Sequence, residues 1–162
     1  MSERFPSGTL LGFDFGTRRI GVAVGQTLTN TANPLAILPA DDGKPDWTRL
    51  GKLVEEWRPV ALVVGIPSHA DGSDNDISPR ARRFARRLHG RFARPVYTID
   101  ERLSSQAAAE ALGGQQQPLD DMAAARILQD WLSDPRSGKA LDTRGGPADE
   151  TDPVNKNEQG RP

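Results

Sequence analysis

The sequence contains no cysteine. That excludes a disulfide framework, thiolate chemistry and any Cys-ligated zinc. Histidine is nearly as scarce, with only His69 and His89. A His-rich metal site is therefore excluded, and a metal held here would be bound mainly by oxygen. No apolar run approaches the length of a membrane span, and the start, Met1-Ser-Glu-Arg-Phe-Pro6, lacks the apolar core of a signal peptide. A soluble, cytoplasmic protein with no membrane partner is expected. Excess charge of either sign is missing too: the net charge is −1 and the pI about 6.1. There is no global pull towards nucleic acid, so the local distribution of charge has to decide.

What is present reads as one domain of ordinary size in 162 residues. Residues 1–8 form a flexible leader, residues 9–132 the folded domain, and residues 133–162 a disordered tail rich in Gly, Pro, Asp and Glu. Thr9–Phe15 places Leu11, Phe13 and Phe15 on one face of a strand, and Ile20–Val24 is a second strand. The Gly16-Thr17-Arg18-Arg19 turn between them predicts a hairpin. Ala32–Leu38 is a third strand, with Pro34 favouring an edge. Trp47, Leu50, Leu53, Val54 and Trp57 follow helical spacing over 46–57. Val60–Ile66 is nearly all apolar, as in a strand covered on both faces. A polar loop, Pro67–Asp76, leads to a helix over 79–92. A short strand at 96–99, a helix over 106–112 and a last helix from Asp120 or Asp121 to about Leu132 complete the order. The expected fold class is α/β: a mixed central sheet of about five strands, the first three antiparallel, with helices on both faces.

Three acidic residues sit where apolar ones would cost less. Asp14 ends the first strand among apolar neighbours, and strands disfavour Asp. Glu101 follows just past the 96–99 strand. Asp120 shares a helical face with Ala124, Ile127, Leu128 and Trp131, while Asp121 lies on the flank of that stripe. Each has a plainer reading: a turn residue for Asp14, a loop ion pair with Arg102 for Glu101, an N-cap for Asp120 or Asp121. Together they would repel one another unless a cation gathered them. With oxygen donors the natural cation is Mg²⁺, with Mn²⁺ possible. Such ions activate water and stabilise the leaving oxygen of a phosphodiester.

The strongest local charge feature is the segment from Pro79 to Arg94, with Arg80, Arg82, Arg83, Arg86, Arg87, Arg91 and Arg94 and no acid. A solvated helix face would usually mix signs. Arginine matches phosphate geometry, and with few aromatics nearby the pattern suits backbone contact with nucleic acid rather than base stacking. Arg80, Arg83 and Arg87 are candidates, with Arg18 and Arg19 in the first turn near Asp14.

These segments, in order, resemble the YqgF family, also called the Holliday junction resolvase or pre-16S rRNA nuclease family. Gly12-Phe-Asp-Phe-Gly-Thr-Arg-Arg-Ile-Gly-Val-Ala-Val24 resembles its opening motif. Ala32-Asn-Pro-Leu35, Gly65-Ile-Pro67 with Asp71-Gly72, Asp100-Glu-Arg-Leu-Ser-Ser105, and Asp120-Asp-Met-Ala-Ala-Ala-Arg-Ile-Leu-Gln129 follow in the family's order. Gly25-Gln26 departs from the Ser-Asp of many members. The resemblance implies an RNase H-like fold and a Mg²⁺-dependent nuclease whose carboxylates fall on Asp14, Glu101 and Asp120. It implies processing of the 5′ end of precursor 16S rRNA in ribosome biogenesis, with a Holliday junction resolvase acting on DNA as the alternative. From another class, a non-catalytic RNA-binding ribosome assembly factor would keep the basic helix but have no use for the acidic trio. Asp14-Phe-Gly-Thr17 also resembles the first phosphate motif of actin-like kinases, but those need two such domains. No Gly-x-x-x-x-Gly-Lys-Ser/Thr loop is present. The expected assembly is a monomer or weak homodimer.

Overall fold

The structure is a computed structural model that describes residues 6–69, 71–102 and 120–141. Its centre is β1 (Thr9–Asp14). β1 pairs antiparallel with β2 (Arg19–Gln26) on one side and parallel with β5 (Ala61–Ser68) on the other. β3 (Thr31–Asp41) pairs with β2, and the two-residue β4 (Lys44–Pro45) with the end of β3. β6 (Val96–Arg102) lies parallel to β5, and the two-residue β7 (Lys139–Ala140) is antiparallel to β6. The order across the sheet is β4-β3-β2-β1-β5-β6-β7.

Strand alternation divides the core into two layers. Leu11, Phe13 and Phe15 join Leu62, Val64 and Ile66 beneath α1 (Trp47–Trp57) and α2 (Ser78–Phe92). Leu10, Ala61, Val63 and Ile99 lie beneath α3 (Asp120–Ser133), which contributes Ala124, Ile127, Leu128, Trp131 and Leu132. β5 is therefore covered on both faces, as its apolar run requires. α1 starts where the Asp46 carboxylate accepts from the Arg49 N–H at 3.2 Å. It ends at Arg58, whose left-handed backbone (φ 45°) lets its N–H donate to the Val54 carbonyl. Pro34 is accommodated by an extra residue: Val22 pairs with Ala36 but Ala23 with Pro34, leaving Leu35 as a bulge. Among the described residues no helix is long and apolar enough to cross a membrane.

The expected mixed sheet, antiparallel at its start and covered by helices on both faces, is present. Among the described residues it has seven strands, against the expected five or so. The additional two, β4 and β7, are two residues each and too short to show any alternation. β6 continues to Arg102, so Glu101 lies within a strand and pairs with Pro67. Order also continues beyond residue 132. A 3₁₀ turn (Pro135–Ser137) leads into β7, and the Leu141 N–H donates to the Val96 carbonyl at 2.8 Å. The helix expected over 106–112 lies outside the described residues.

Candidate active site

Asp14 is the last residue of β1, level with Gly65 of β5, which is level with Ile99 of β6. Leu10, Gly12 and Asp14 alternate onto the α3 side of the sheet. There Gly12 lies directly under the Leu128 side chain. Glu101, two residues beyond Ile99, shares this face. Its Cγ lies 3.2 Å from where a Cβ on Gly65 would stand, so the side chain leans back over Gly65, towards Asp14. Gly65 has to be glycine here, because a Cβ would collide with the Ile127 side chain. One missing side chain thus lets α3 settle on the sheet and leaves room for Glu101 beside β1.

The surroundings act strongly on Glu101. Its carboxyl is raised from 4.5 to about 8. Burial is the largest cause, followed by the charge of Asp130 and a hydrogen bond with it; Arg126 opposes the rise, and the charge of Asp14 adds to it. Asp130 was not legible in the sequence as a site residue. It stands one helical turn after Arg126, and its meeting with Glu101 depends on how α3 docks on the sheet.

Asp120 is the first residue of α3; its side chain lies outside the described residues. The direction of α3 is nevertheless defined. Ile127 packs over Gly65 and Leu128 over Gly12, whereas Leu132 reaches Gly25, the register partner of Leu10, and Trp131 stacks near Tyr97. The helix therefore runs against β1, and its first turn heads towards the strand ends that carry Asp14 and Glu101. Among the described residues no group of three or more His, Cys, Asp or Glu side chains is close enough to hold a metal ion.

Arg18 and Arg19 are exposed in the β1–β2 turn. Arg80, Arg83 and Arg87 lie on α2, across the sheet from α3. They border a cleft on the Phe15 side rather than the Asp14 side. Other arginines of α2 and its end have structural contacts. Arg82 holds Asp74 with two bonds of 2.9 and 2.8 Å. Arg91 lies 4.2 Å over the Trp47 ring. Arg94 donates to the Pro59 carbonyl at 2.8 Å.

A family model described as "RuvX: Holliday junction resolvase" matches residues 8–134. The chain belongs to the RuvX family. This is the family its motifs resemble under the name YqgF, a family of nucleases with an RNase H-like fold. Among RuvX relatives, an Azotobacter vinelandii protein named "Putative pre-16S rRNA nuclease" is 51% identical over 136 residues, covering 80% of this chain and 96% of the relative. A Pseudomonas aeruginosa protein of the same name is 49% identical over 141 residues, covering 83% and 98%. Thermus thermophilus RuvC, solved in complex with a Holliday junction substrate, is similar in structure with a TM-score of 0.52 at 17% identity, covering 83% of this chain and 99% of that one. At that identity the likeness is one of fold.

Proposed function

We propose that this chain is a Mg²⁺-dependent nuclease that processes the 5′ end of precursor 16S rRNA, acting in the cytoplasm as a monomer or weak homodimer. The observation that supports catalysis most directly is Glu101, half-buried, leaning over Gly65 towards Asp14 with its carboxyl facing Asp130. Such an arrangement costs stability in the absence of a cation. Ordinary cores avoid it; sites that bind a divalent ion need it. The chemistry of the donors fits the ion: Asp14, Glu101 and Asp120 would hold it through hard carboxylate oxygen, which suits Mg²⁺ or Mn²⁺. When bound, the ion supplies Lewis acidity and neutralises charge at the phosphodiester.

The chain's own residues do the rest. Asp14 is held at the end of a strand paired on both sides, which fixes the backbone from which its carboxylate projects. Glu101 must release its proton to become a ligand, which couples ion binding to pH. Arg18 and Arg19 place cationic groups in the turn after Asp14, where they can hold a phosphate on the strand being cut. The rRNA substrate is supported by the relatives' name and by the near-complete coverage of their length.

The test compares a precursor 16S rRNA 5′ leader with a synthetic four-way DNA junction, each with Mg²⁺ and with EDTA. Mg²⁺-dependent cleavage of the leader, with the junction intact, is expected. Binding of the leader without cleavage would favour an assembly factor, and cleavage of the junction alone would favour a resolvase.

A further inference from the structure

On the face of the sheet opposite α3, the β3–β4 turn and α2 enclose a cleft of about 180 Å³. Phe15, Trp47 and Phe84 form its apolar wall, and Lys44, Arg80, Arg83 and Arg87 bring four cations to it, against one acid, Asp42, among the described residues. The cleft is built rather than incidental. The Gly43 N–H donates to the Thr17 carbonyl at 2.9 Å and the Ala40 N–H to that of Arg18 at 2.8 Å. These bonds tie the β3–β4 turn to the β1–β2 turn. Gly43 has φ +84°, and a Cβ there would lie 3.1 Å from Phe15 and 3.3 Å from Arg80, so the site needs glycine. Arg80 is clamped by the Asp42 carbonyl at 2.8 Å and its carboxylate at 3.0 Å. The Trp47 ring is already occupied, by Arg91 at 4.2 Å and by Phe84 at 6.1 Å. Phe15 and Phe84 are buried and offer a base little ring surface, whereas the described lining carries more cations than acids.

Asp14 and Phe15 are consecutive and point to opposite faces. The proposed cleavage site and this cleft therefore lie back to back across one end of the sheet. We propose that the cleft is a second phosphate subsite. It takes a backbone phosphodiester of the same nucleic-acid strand where that strand passes over the end of the sheet, a few nucleotides from the bond at Asp14. This rests on the nuclease reading for the position of the cut bond, but not for binding itself. Lys44, which no sequence pattern singled out, becomes a binding residue, and the arginines of α2 act at a distance from the carboxylates rather than beside them.

The test is fluorescence anisotropy of single-stranded RNA oligonucleotides from the leader, at several salt concentrations. Asp14→Asn protein is used so that nothing is cut. Lys44→Glu and Arg87→Gln are compared with it; Lys44 is exposed, so its replacement should not disturb folding. Each should weaken binding about five- to tenfold and lower the salt slope by about 0.7 for the phosphate lost. The defect should vanish when the oligonucleotide is shortened from one end but persist when it is shortened from the other. Unchanged affinity and slope in both variants would overturn the proposal. So would a defect that persists on oligonucleotides trimmed from either end, which would mark a diffuse charge effect. A saturable response of tryptophan fluorescence to micromolar inorganic phosphate, lost in Lys44→Glu, would instead make this a free-anion site. Wild-type protein that binds as expected but never cuts RNA would count against the nuclease reading and leave the subsite standing.

Discussion

Replacing Glu101 by Gln should make the metal-free protein more stable, and only at neutral to alkaline pH. The Glu101 carboxyl is raised from 4.5 to about 8, chiefly by burial and then by Asp130. A carboxyl raised by folding carries no cost below pH 4.5, where it is protonated in both states. The cost grows as pH climbs through the window from about 4.5 to about 8 and levels off above it, because folding must then either retain a proton or bury a charge. At about 1.4 kcal/mol per pH unit, the ceiling is about 5 kcal/mol. Water reaches part of this side chain, so about 2 kcal/mol is the realistic gain. In a domain of this size that raises the melting temperature by about 8 °C. Gln keeps the shape and a hydrogen-bond donor for Asp130 while removing the charge. The assay is thermal unfolding followed by circular dichroism in EDTA at pH 5, 6, 7 and 8. Glu101→Gln should match wild type at pH 5 and exceed it at pH 8, and added Mg²⁺ should raise only the wild type. A variant less stable than wild type at pH 8, or one stabilised equally at every pH, would mean that the Glu101 charge is not what destabilises the metal-free fold.

Two further outcomes concern the scaffold. Gly12→Ala should cost about 2 kcal/mol, because its Cβ meets the fully buried Leu128. Combined with Leu128→Ala, which alone costs about 3 kcal/mol, the loss should be less than the sum, as measured by urea unfolding; strict additivity would mean that the two sites do not touch. Asp46→Ala should cost about 1 kcal/mol through loss of the α1 cap while leaving RNA cleavage at the wild-type rate, measurable on the same protein preparation.

Much of this arrangement could be read from residue order. The alternation of Leu11, Phe13 and Phe15 and the stripe of Ala124, Ile127, Leu128 and Trp131 each described a buried face, and those faces form the two layers. The apolar run of β5 announced its central place. What stayed hidden depends on docking. An amphipathic helix shows which of its own faces is buried but not which side of the sheet receives it. The side on which the arginines of α2 lie, that of Phe15, was therefore not legible. Glu101 looked like a loop residue because the charged run Asp100-Glu101-Arg102 has no strand-like composition. It is held in β6 by pairing with the last residues of β5, which local pattern does not encode. Asp130 and Lys44 gave no signal for a similar reason: each acquires its neighbours from a distant element.

Cleavage at this site depends above all on Asp14. Asp14→Asn preserves the size of the side chain and its place at the end of β1 while removing the charge proposed to hold Mg²⁺. Cleavage of the precursor 16S rRNA leader should be measured in single turnover with Mg²⁺, alongside binding of the same RNA. Cleavage should be abolished while affinity stays within about twofold of wild type. Equal cleavage by Asp14→Asn and wild-type protein would contradict that dependence.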